Sequence, residues 1–547
     1  MRTSSPLAIL EMGIRQSALV QFSESNPIVS NGRTRPLPWI FDFRAILGQP
    51  QYLDAYAETF WDHHDELEAV QVCGVETSGI ALVAAIVMKG HVRGKKVNGL
   101  YIRKSRKKTG LMKILEGTPT GDPIILVDDL INSGASIRHA IKVLSDAGFR
   151  VQKIFIILAL RHADSYTFLH NTETSFSTLF TSDTFGIPLA QESNPVSENQ
   201  FTMHWKFSGR APNLRHVVPK SSPLVDQSHV YFASDDGYMR ALDQTTGVTT
   251  WEYRVGRIPF RKGIFSTPAL HGSLLYFGAY DGNVYALNRD TGKMEWTYRD
   301  ADWVGSSPAI APDLGLLFIG LEFGLWHRHG GIAALQLSDG KEVWTMRTMP
   351  EFTHCSPLYI KQEGVVVIGS NDGVVYCFSA REGKLKWTYA TGGDIKVSLA
   401  YDASRRRIVF GSFDKKIHSV DVRSGKAAWT FDTGESVFST PLVVDDTIFV
   451  SSLNKCIYAL SARDGSKLWD CETNGRLFAS PVLFNKSLWV GSNDGMLREI
   501  DPHTGRLVSY FQTSERITNP IAVNEATGFL FVSTQANELY CVSKNIS

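Results

Sequence analysis

Residues 124–136 read Ile-Ile-Leu-Val-Asp-Asp-Leu-Ile-Asn-Ser-Gly-Ala-Ser. The aliphatic start has the composition of a buried strand, and it delivers two adjacent carboxylates, Asp128 and Asp129, at its C-terminal end. Asn132, Ser133, Gly134, Ala135 and Ser136 then form a small-residue loop directly before the helical stretch Ile137 to Ala147. Such a loop aims backbone N–H groups and the positive end of a helix at a phosphate, and the Ser133 and Ser136 hydroxyls add donors. Paired carboxylates beside it are placed to accept hydrogen bonds from ribose hydroxyls. Strand-end carboxylates also serve as helix caps and turn formers. Strand, spacing and following helix together select the ligand-binding reading.

The elements that must position these residues alternate. A helical Ile9 to Val20, the strand at Ile124, the helix at Ile137 and an apolar Val151 to Leu160 predict parallel strands joined by helices over residues 1–187. A second cluster, Arg103-Lys104-Ser105-Arg106-Lys107-Lys108, follows the apparent strand Gly99 to Ile102 and runs into Thr109 and Gly110. Five cations in six residues usually make a solvated face. At the end of a strand, with a glycine to flex on, the run is instead read as a loop that closes over an anion.

Residues 124–136 closely resemble the PRPP-binding motif of type I phosphoribosyltransferases, and within that superfamily residues 1–187 are most similar to orotate phosphoribosyltransferase. Asn31-Gly32-Arg33, with Trp39-Ile40-Phe41-Asp42-Phe43-Arg44 after it, resembles that family's N-terminal segment, and Gly74-Val75-Glu76-Thr77-Ser78-Gly79-Ile80 its pyrophosphate loop. The basic run resembles its mobile catalytic loop. The resemblance implies that Arg103, Lys104 and Lys107 contact pyrophosphate or the α-phosphate, with Lys107 in the catalytic lysine's place. It further implies PRPP ribose on Asp128 and Asp129, its 5′-phosphate on residues 132–136, pyrophosphate on Glu76, Thr77, Ser78 and Gly79, and the acceptor base on Arg161, Asn132 and Phe41. Mg²⁺ is expected to ride on the substrate, with no direct protein ligand, because it keeps waters and phosphate oxygens. A homodimer through this domain is also implied.

Three departures bear on the acceptor. The family's base-touching lysine aligns with Ser30, its PRPP-loop threonine with Asn132, and its mobile-loop histidine with Thr109. Arg161, which answers orotate's carboxylate in the family, is present, but Leu160 stands where an acid usually precedes it. The expected activity is therefore transfer of 5-phosphoribosyl from PRPP to a nucleobase-like acceptor, orotate among the candidates. The alternative is a PRPP or nucleotide sensor that does not turn over and whose second domain binds a partner protein.

After about residue 200 the period changes. Tryptophans at 205, 251, 296, 344, 387, 429 and 469 are spaced 46, 45, 48, 43, 42 and 40 apart, and Ser509-Tyr510-Phe511 keeps the step. That is the period of propeller blades. Ser-Pro, Asp-Gly and Thr-Gly signals punctuate each unit, as in Ser266-Thr267-Pro268, Asp281-Gly282 and Thr291-Gly292. The glycines supply the positive φ that tight hairpins need. The pattern resembles the quinoprotein-like (PQQ) β-propeller repeat over residues 201–547. The first Trp strand has no blade before it and the last unit lacks a Trp strand, so the strand around Trp205 is expected to complete an eighth blade and close the ring.

The expected organisation is a phosphoribosyltransferase-type α/β domain at 1–187, a linker at 188–200 and the propeller at 201–547. PQQ itself is not expected, because the adjacent Cys-Cys pair and secretion signal of the quinoprotein dehydrogenases are missing. The propeller is read as a docking scaffold. Among 547 residues, 56 Lys+Arg against 55 Asp+Glu leave a net charge of +1, which gives no support to nucleic-acid binding. The apolar run Gly79 to Met88 falls short of the roughly 20 residues that span a bilayer, and the expected setting is cytoplasmic. Six dispersed cysteines predict reduced thiols. His63-His64-Asp65-Glu66 is expected on an exposed helical face, and Trp326-His327-Arg328-His329 as loop packing within a third-blade insertion, Leu321 to Gly331.

Overall fold

A computed structural model describes residues 5–21, 39–103, 114–132, 134–163, 166–169, 173–187, 200–210, 212, 219–256, 263–325 and 327–545. The chain divides into two compact units, Met1–Glu198 and Asn199–Ser547.

The first unit runs α1 (Pro6–Gly13), β1 (Leu19–Gln21), β2 (Trp39–Phe41), α2 (Arg44–Leu47), α3 (Pro50–His63), β3 (Ala69–Val75), α4 (Ser78–Val92), β4 (Lys96–Ile102), β5 (Leu115–Glu116), β6 (Ile124–Ile131), α5 (Ala135–Asp146), β7 (Val151–Ala159) and β8 (Ser175–Thr181). Its main sheet has the order β5-β4-β3-β6-β7-β8. All pairings are parallel except β4 with β5. Alternation along β6 explains the two covered faces. Ile125 and Val127 join a core with Tyr56 and Phe60 of α3 and Leu82 of α4, whereas Ile124 and Leu126 join one with Ile137, Ala140 and Leu144 of α5. Ile137, Ala140, Val143 and Leu144 recur at steps of three and four, the spacing of a helix with one buried stripe.

Two local expectations change. The helix expected over Ile9 to Val20 stops early: α1 passes into one π turn at Ile14–Ala18, and Leu19–Gln21 pairs with Trp39–Phe41. His64 is buried rather than exposed, packed on Phe60 and Phe155 just after α3 ends. All six cysteines are free thiols.

The second unit is an eight-bladed β-propeller of four-stranded antiparallel sheets. The strand Phe201–Ser208 pairs with Glu538–Lys544, and Trp205 lies opposite Cys541, so the ends of the unit close one blade. Every repeated Trp bridges to the next blade. The indole N–H of Trp251 donates to Arg289 O at 2.8 Å, that of Trp387 to Val422 O at 2.8 Å and that of Trp469 to Pro502 O at 2.9 Å. Each ring lies on the turn glycine of that next blade: a Cβ on Gly292 would stand 2.6 Å from the Trp251 ring. Ser509 occupies the eighth Trp position, opposite Glu499. There Lys544 of the closing blade reaches Glu499 at 2.7 Å, and the aromatic packing comes from another position, Trp489 on Phe201 of the closing blade at 5.9 Å.

The Ser-Pro signals have a physical reason too. Ser222 N donates to Thr267 Oγ1 at 3.0 Å, Thr267 N to Ser307 Oγ at 2.9 Å and Ser307 N to Ser356 Oγ at 2.9 Å, stitching successive blades around the axis. Leu321 to Gly331 lengthens a hairpin instead of forming a loose loop, with His329 stacked on Phe323 at 4.6 Å. Trp326 lies outside the described residues.

Candidate functional site

The strand order reverses direction between β3 and β6: the chain crosses from β3 through α4 to β4 on one side, and from β6 through α5 to β7 on the other. Ligands of open α/β sheets bind at such a point, outside the carboxyl ends of the strands. The loops after β3 and β6 are the two read above as anion-binding.

After β3 the turn is tight. Glu76 N donates to Ile102 O at 2.8 Å, anchoring the loop to the end of β4, and the Glu76–Thr77 peptide is cis. Gly74 and Gly79 pack backbone to backbone, so that a Cβ on Gly79 would lie 2.9 Å from Gly74 C. Side chains at either position would push the turn open. The turn delivers Ser78 to the N-terminus of α4.

After β6, Asp128 is 6 % exposed and its Oδ1 accepts from Asp129 N at 3.1 Å. Burial pushes the Asp129 carboxyl above its ordinary value, against the opposing hydrogen bonds from Ser78 and from backbone N–H groups. Asp129 and Ser78, one from each loop, are thus in contact. Gly134 caps α5 at φ +75°, and a Cβ there would come within 2.5 Å of the Phe168 ring. Glycine is the residue that fits both conditions. Ser136 is exposed in the first turn of α5. Ser133 lies outside the described residues, as does the side chain of Ala135.

Arg103 stands at the root of the basic run. Its backbone N donates to Ile114 O at 2.9 Å, so residues 104–113 connect the two strands of the β4–β5 hairpin. The guanidinium pairs with Glu76 at 3.5 Å and with Glu116 across the hairpin. Lys104, Lys107 and Thr109 lie outside the described residues, as do Ser30 and Asn31 to Arg33.

Arg161 follows β7, and its Nε donates to Asn132 Oδ1 at 3.1 Å. Two of the three residues expected to contact the acceptor are thus neighbours. Phe41 is 9 % exposed and packs in an aromatic cluster, 5.7 Å from Trp39 and 5.8 Å from Phe185. The neighbouring Asp42 and Arg44 form an ion pair at 2.7 Å.

Two residues near the site carried no sequence signal. Glu116 meets Arg103 only through the register of the hairpin. Tyr56, fully buried on α3, has a hydroxyl without a hydrogen-bond partner among the described residues, and burial together with the charges of Asp128 and Asp129 pushes its phenol well up. Among those same residues no group of three His, Cys, Asp or Glu side chains is arranged to hold a metal ion.

Thr77, Ser78, Asp129, Asn132 and Gly134 lie at the carboxyl ends of the adjacent strands β3 and β6 or in the turns that follow them. Orotate phosphoribosyltransferase of Staphylothermus marinus is 30% identical over 124 residues, 22% of this chain and 57% of that one. The enzyme of Methanosphaera stadtmanae is 24% identical over 178 residues, 31% of this chain and 96% of that one. Uridine 5′-monophosphate synthase of Bos taurus is 27% identical over 140 residues, 25% of this chain and 28% of that one. The N-terminal part is homologous to orotate phosphoribosyltransferases. The chain spans little more than half the length of the first of these relatives.

This transferase-like part accounts for one unit, and the propeller has its own relatives. A family model described as outer membrane protein assembly factor BamB matches residues 202–313, and one described as the β-propeller of beta-alanine-activating enzyme matches 327–547. BamB of Moraxella catarrhalis superposes with a TM-score of 0.50 at 17% identity, covering 63% of this chain and 99% of its own. A europium-containing methanol dehydrogenase superposes at 0.52 and 13% identity, covering 63% and 93%. These likenesses concern the fold alone.

Proposed function

We propose that the transferase-like unit uses PRPP and Mg²⁺ to transfer 5-phosphoribosyl to a nucleobase-like acceptor, in the cytosol, and that the propeller is a docking scaffold for a protein. The observation that carries this reading is that β3 and β6 are adjacent parallel strands, so that the Asp128–Asp129 pair and the Thr77–Ser78 turn emerge side by side at the sheet's switch point.

Breaking the bond between ribose C1 and pyrophosphate builds positive charge on the sugar and negative charge on the leaving group. The incoming base nitrogen forms a bond to C1 as pyrophosphate departs with the bonding pair. The task of the protein is alignment and charge stabilisation, with no nucleophile of its own. Asp128 and Asp129 accept from the ribose hydroxyls and hold the ring. Backbone N–H groups at the start of α5, with Ser136, take the 5′-phosphate. Arg103, with Lys104 and Lys107, balances the charge gathering on pyrophosphate, and Arg161 orients the acceptor. Mg²⁺ held by substrate oxygens would screen the pyrophosphate charge when bound.

Incubating the full chain with PRPP, Mg²⁺ and a panel of orotate, uracil and purines tests the proposal. Pyrophosphate release with one acceptor supports it. PRPP binding with no release across the panel supports a sensor instead, and no PRPP binding sinks both.

A further inference from the structure

The axis of the propeller holds an open cavity of about 830 Å³, within the size range of small-molecule sites. Successive blades line it with the residue at one repeat position, two before the Ser or Thr that leads into the first strand. In six consecutive blades that residue is Phe265, Gly305, His354, Lys396, Phe438 and Phe478. Residues four blades apart face each other in an eight-bladed ring, so Phe265 stands across the axis from Phe438, and Gly305 from Phe478. Neighbouring rings brace these walls. Phe438 packs on Phe413 at 5.4 Å and on Phe478 at 5.5 Å, and Phe265 packs on Tyr280 at 5.1 Å. Gly305, where a Cβ would stand 2.8 Å from Glu322 Oε1, keeps the wall opposite Phe478 free of a side chain. Two aromatic walls thus oppose each other across a slot.

A lysine stands at each end of the slot, and the two differ in what they have left to offer. Lys220, at the same repeat position in the blade before Phe265, is buried. Its ammonium lies 2.6 Å from Asp235, 2.8 Å from Gln535 O and 3.2 Å from Asn537 Oδ1, so each of its three N–H groups has an acceptor. Lys396, four blades on, is half-buried. It has Asp394 at 3.0 Å and the face of Phe413 at 4.7 Å, and no further acceptor among the described residues. His354 beside it is held at both ring nitrogens, by Asn371 Nδ2 at 3.0 Å and Glu322 Oε2 at 3.4 Å. Lys396 is therefore the cation with donors to spare toward the cavity.

The geometry points to a small-molecule site on the propeller axis for a flat, mainly apolar ring system that carries one acidic group. The aromatic walls take the faces of the ring, and Lys396 takes the charge. The inference concerns the propeller alone and does not depend on the transferase reading. One cation already shared with Asp394 matches a single negative charge, and further carboxylates would be buried unpaired. PQQ, with three carboxylates, is for that reason a poor ligand here.

Titration of the full chain with the fluorescent probe anilinonaphthalene sulfonate, followed by displacement with naphthoate or with its uncharged counterpart naphthalenemethanol, tests this. The probe should saturate a single site. Naphthoate should displace it about tenfold more effectively than the alcohol, the low end for a hydrogen bond to a charged group. Lys396→Met should abolish that preference and leave displacement by the alcohol unchanged. Phe438→Ala should weaken both competitors by roughly tenfold through the lost ring contact. Melting curves confirm that both variants are folded. Absence of saturable probe binding overturns the inference, as does equal displacement by acid and alcohol in the natural protein. Binding unmoved in Phe438→Ala places the probe elsewhere and overturns it too, and so does displacement by PQQ at lower concentration than by naphthoate.

Discussion

Arg103 and Glu76 form an ion pair, 3.5 Å between Nη1 and Oε1, that spans the gap between the β4–β5 hairpin and the loop after β3. Both partners belong to segments assigned to pyrophosphate in the proposed reaction. In the proposed reaction the arginine would thus be held beside the pyrophosphate before it binds, with Glu76 and Glu116 compensating its charge until then.

Arg103→Ala should lower kcat/KM for PRPP by roughly 10- to 150-fold, the range of one hydrogen bond to a charged group. Steady-state pyrophosphate release measures it. A variant with unchanged kcat/KM removes Arg103 from the reaction.

Asp128→Asn/Asp129→Asn keeps the shape of the pair and removes its charge. PRPP binding by calorimetry should weaken by at least about tenfold, as each charged acceptor is lost. If the natural protein binds PRPP and releases no pyrophosphate, the same loss of binding identifies a sensor.

The single variant Asp129→Asn should be more stable than the natural protein at neutral pH while binding PRPP less well. Burial raises the Asp129 carboxyl above 3.8 in the folded chain. As pH rises past 3.8 the unfolded chain gives up this proton first, so it binds fewer protons than the folded chain and stability falls through the window up to the raised value. The asparagine has no such window. Urea midpoints at pH 7 for the two proteins decide it, and a lower midpoint for Asp129→Asn refutes the sign.

Trp296→Ala should destabilise the propeller by about 3–5 kcal/mol, because a large buried ring is lost with its cavity left behind. Its indole also gives up the bond to Leu337 O at 3.1 Å. Gly340→Ala should be costly as well, since that glycine sits at φ +71° with a Cβ position 2.4 Å from the Trp296 ring. Urea unfolding followed by tryptophan fluorescence checks both, and a change below about 1 kcal/mol in both variants rejects the wedge account.

Much of this was legible in the residues because the signals are local and repeated. A Trp every 40 to 48 residues, with a glycine turn in each unit, implies a ring of blades, and complementary ends imply its closure. The strand, the Asp pair and the small-residue loop lie within thirteen consecutive residues, and chain connectivity alone keeps them together. His64 is buried against the expectation for the converse reason. Its neighbours are charged, but its ring packs against Phe155, far along the chain.

The sequence by itself determined the two architectures, the closure of the propeller and which segments become the loops at the switch point, because periodicity and turn chemistry act over short stretches. Only the tertiary structure decided which of those loops touch. Asp129 meets Ser78, Arg103 meets Glu76 and Glu116, and Asn132 meets Arg161 through strand order and register. The Lys544–Glu499 pair at the seam where Ser509 takes the repeated Trp position is of the same kind. Contacts between residues far apart in the chain depend on how the sheet is ordered, and spacing in a sequence carries no record of that order.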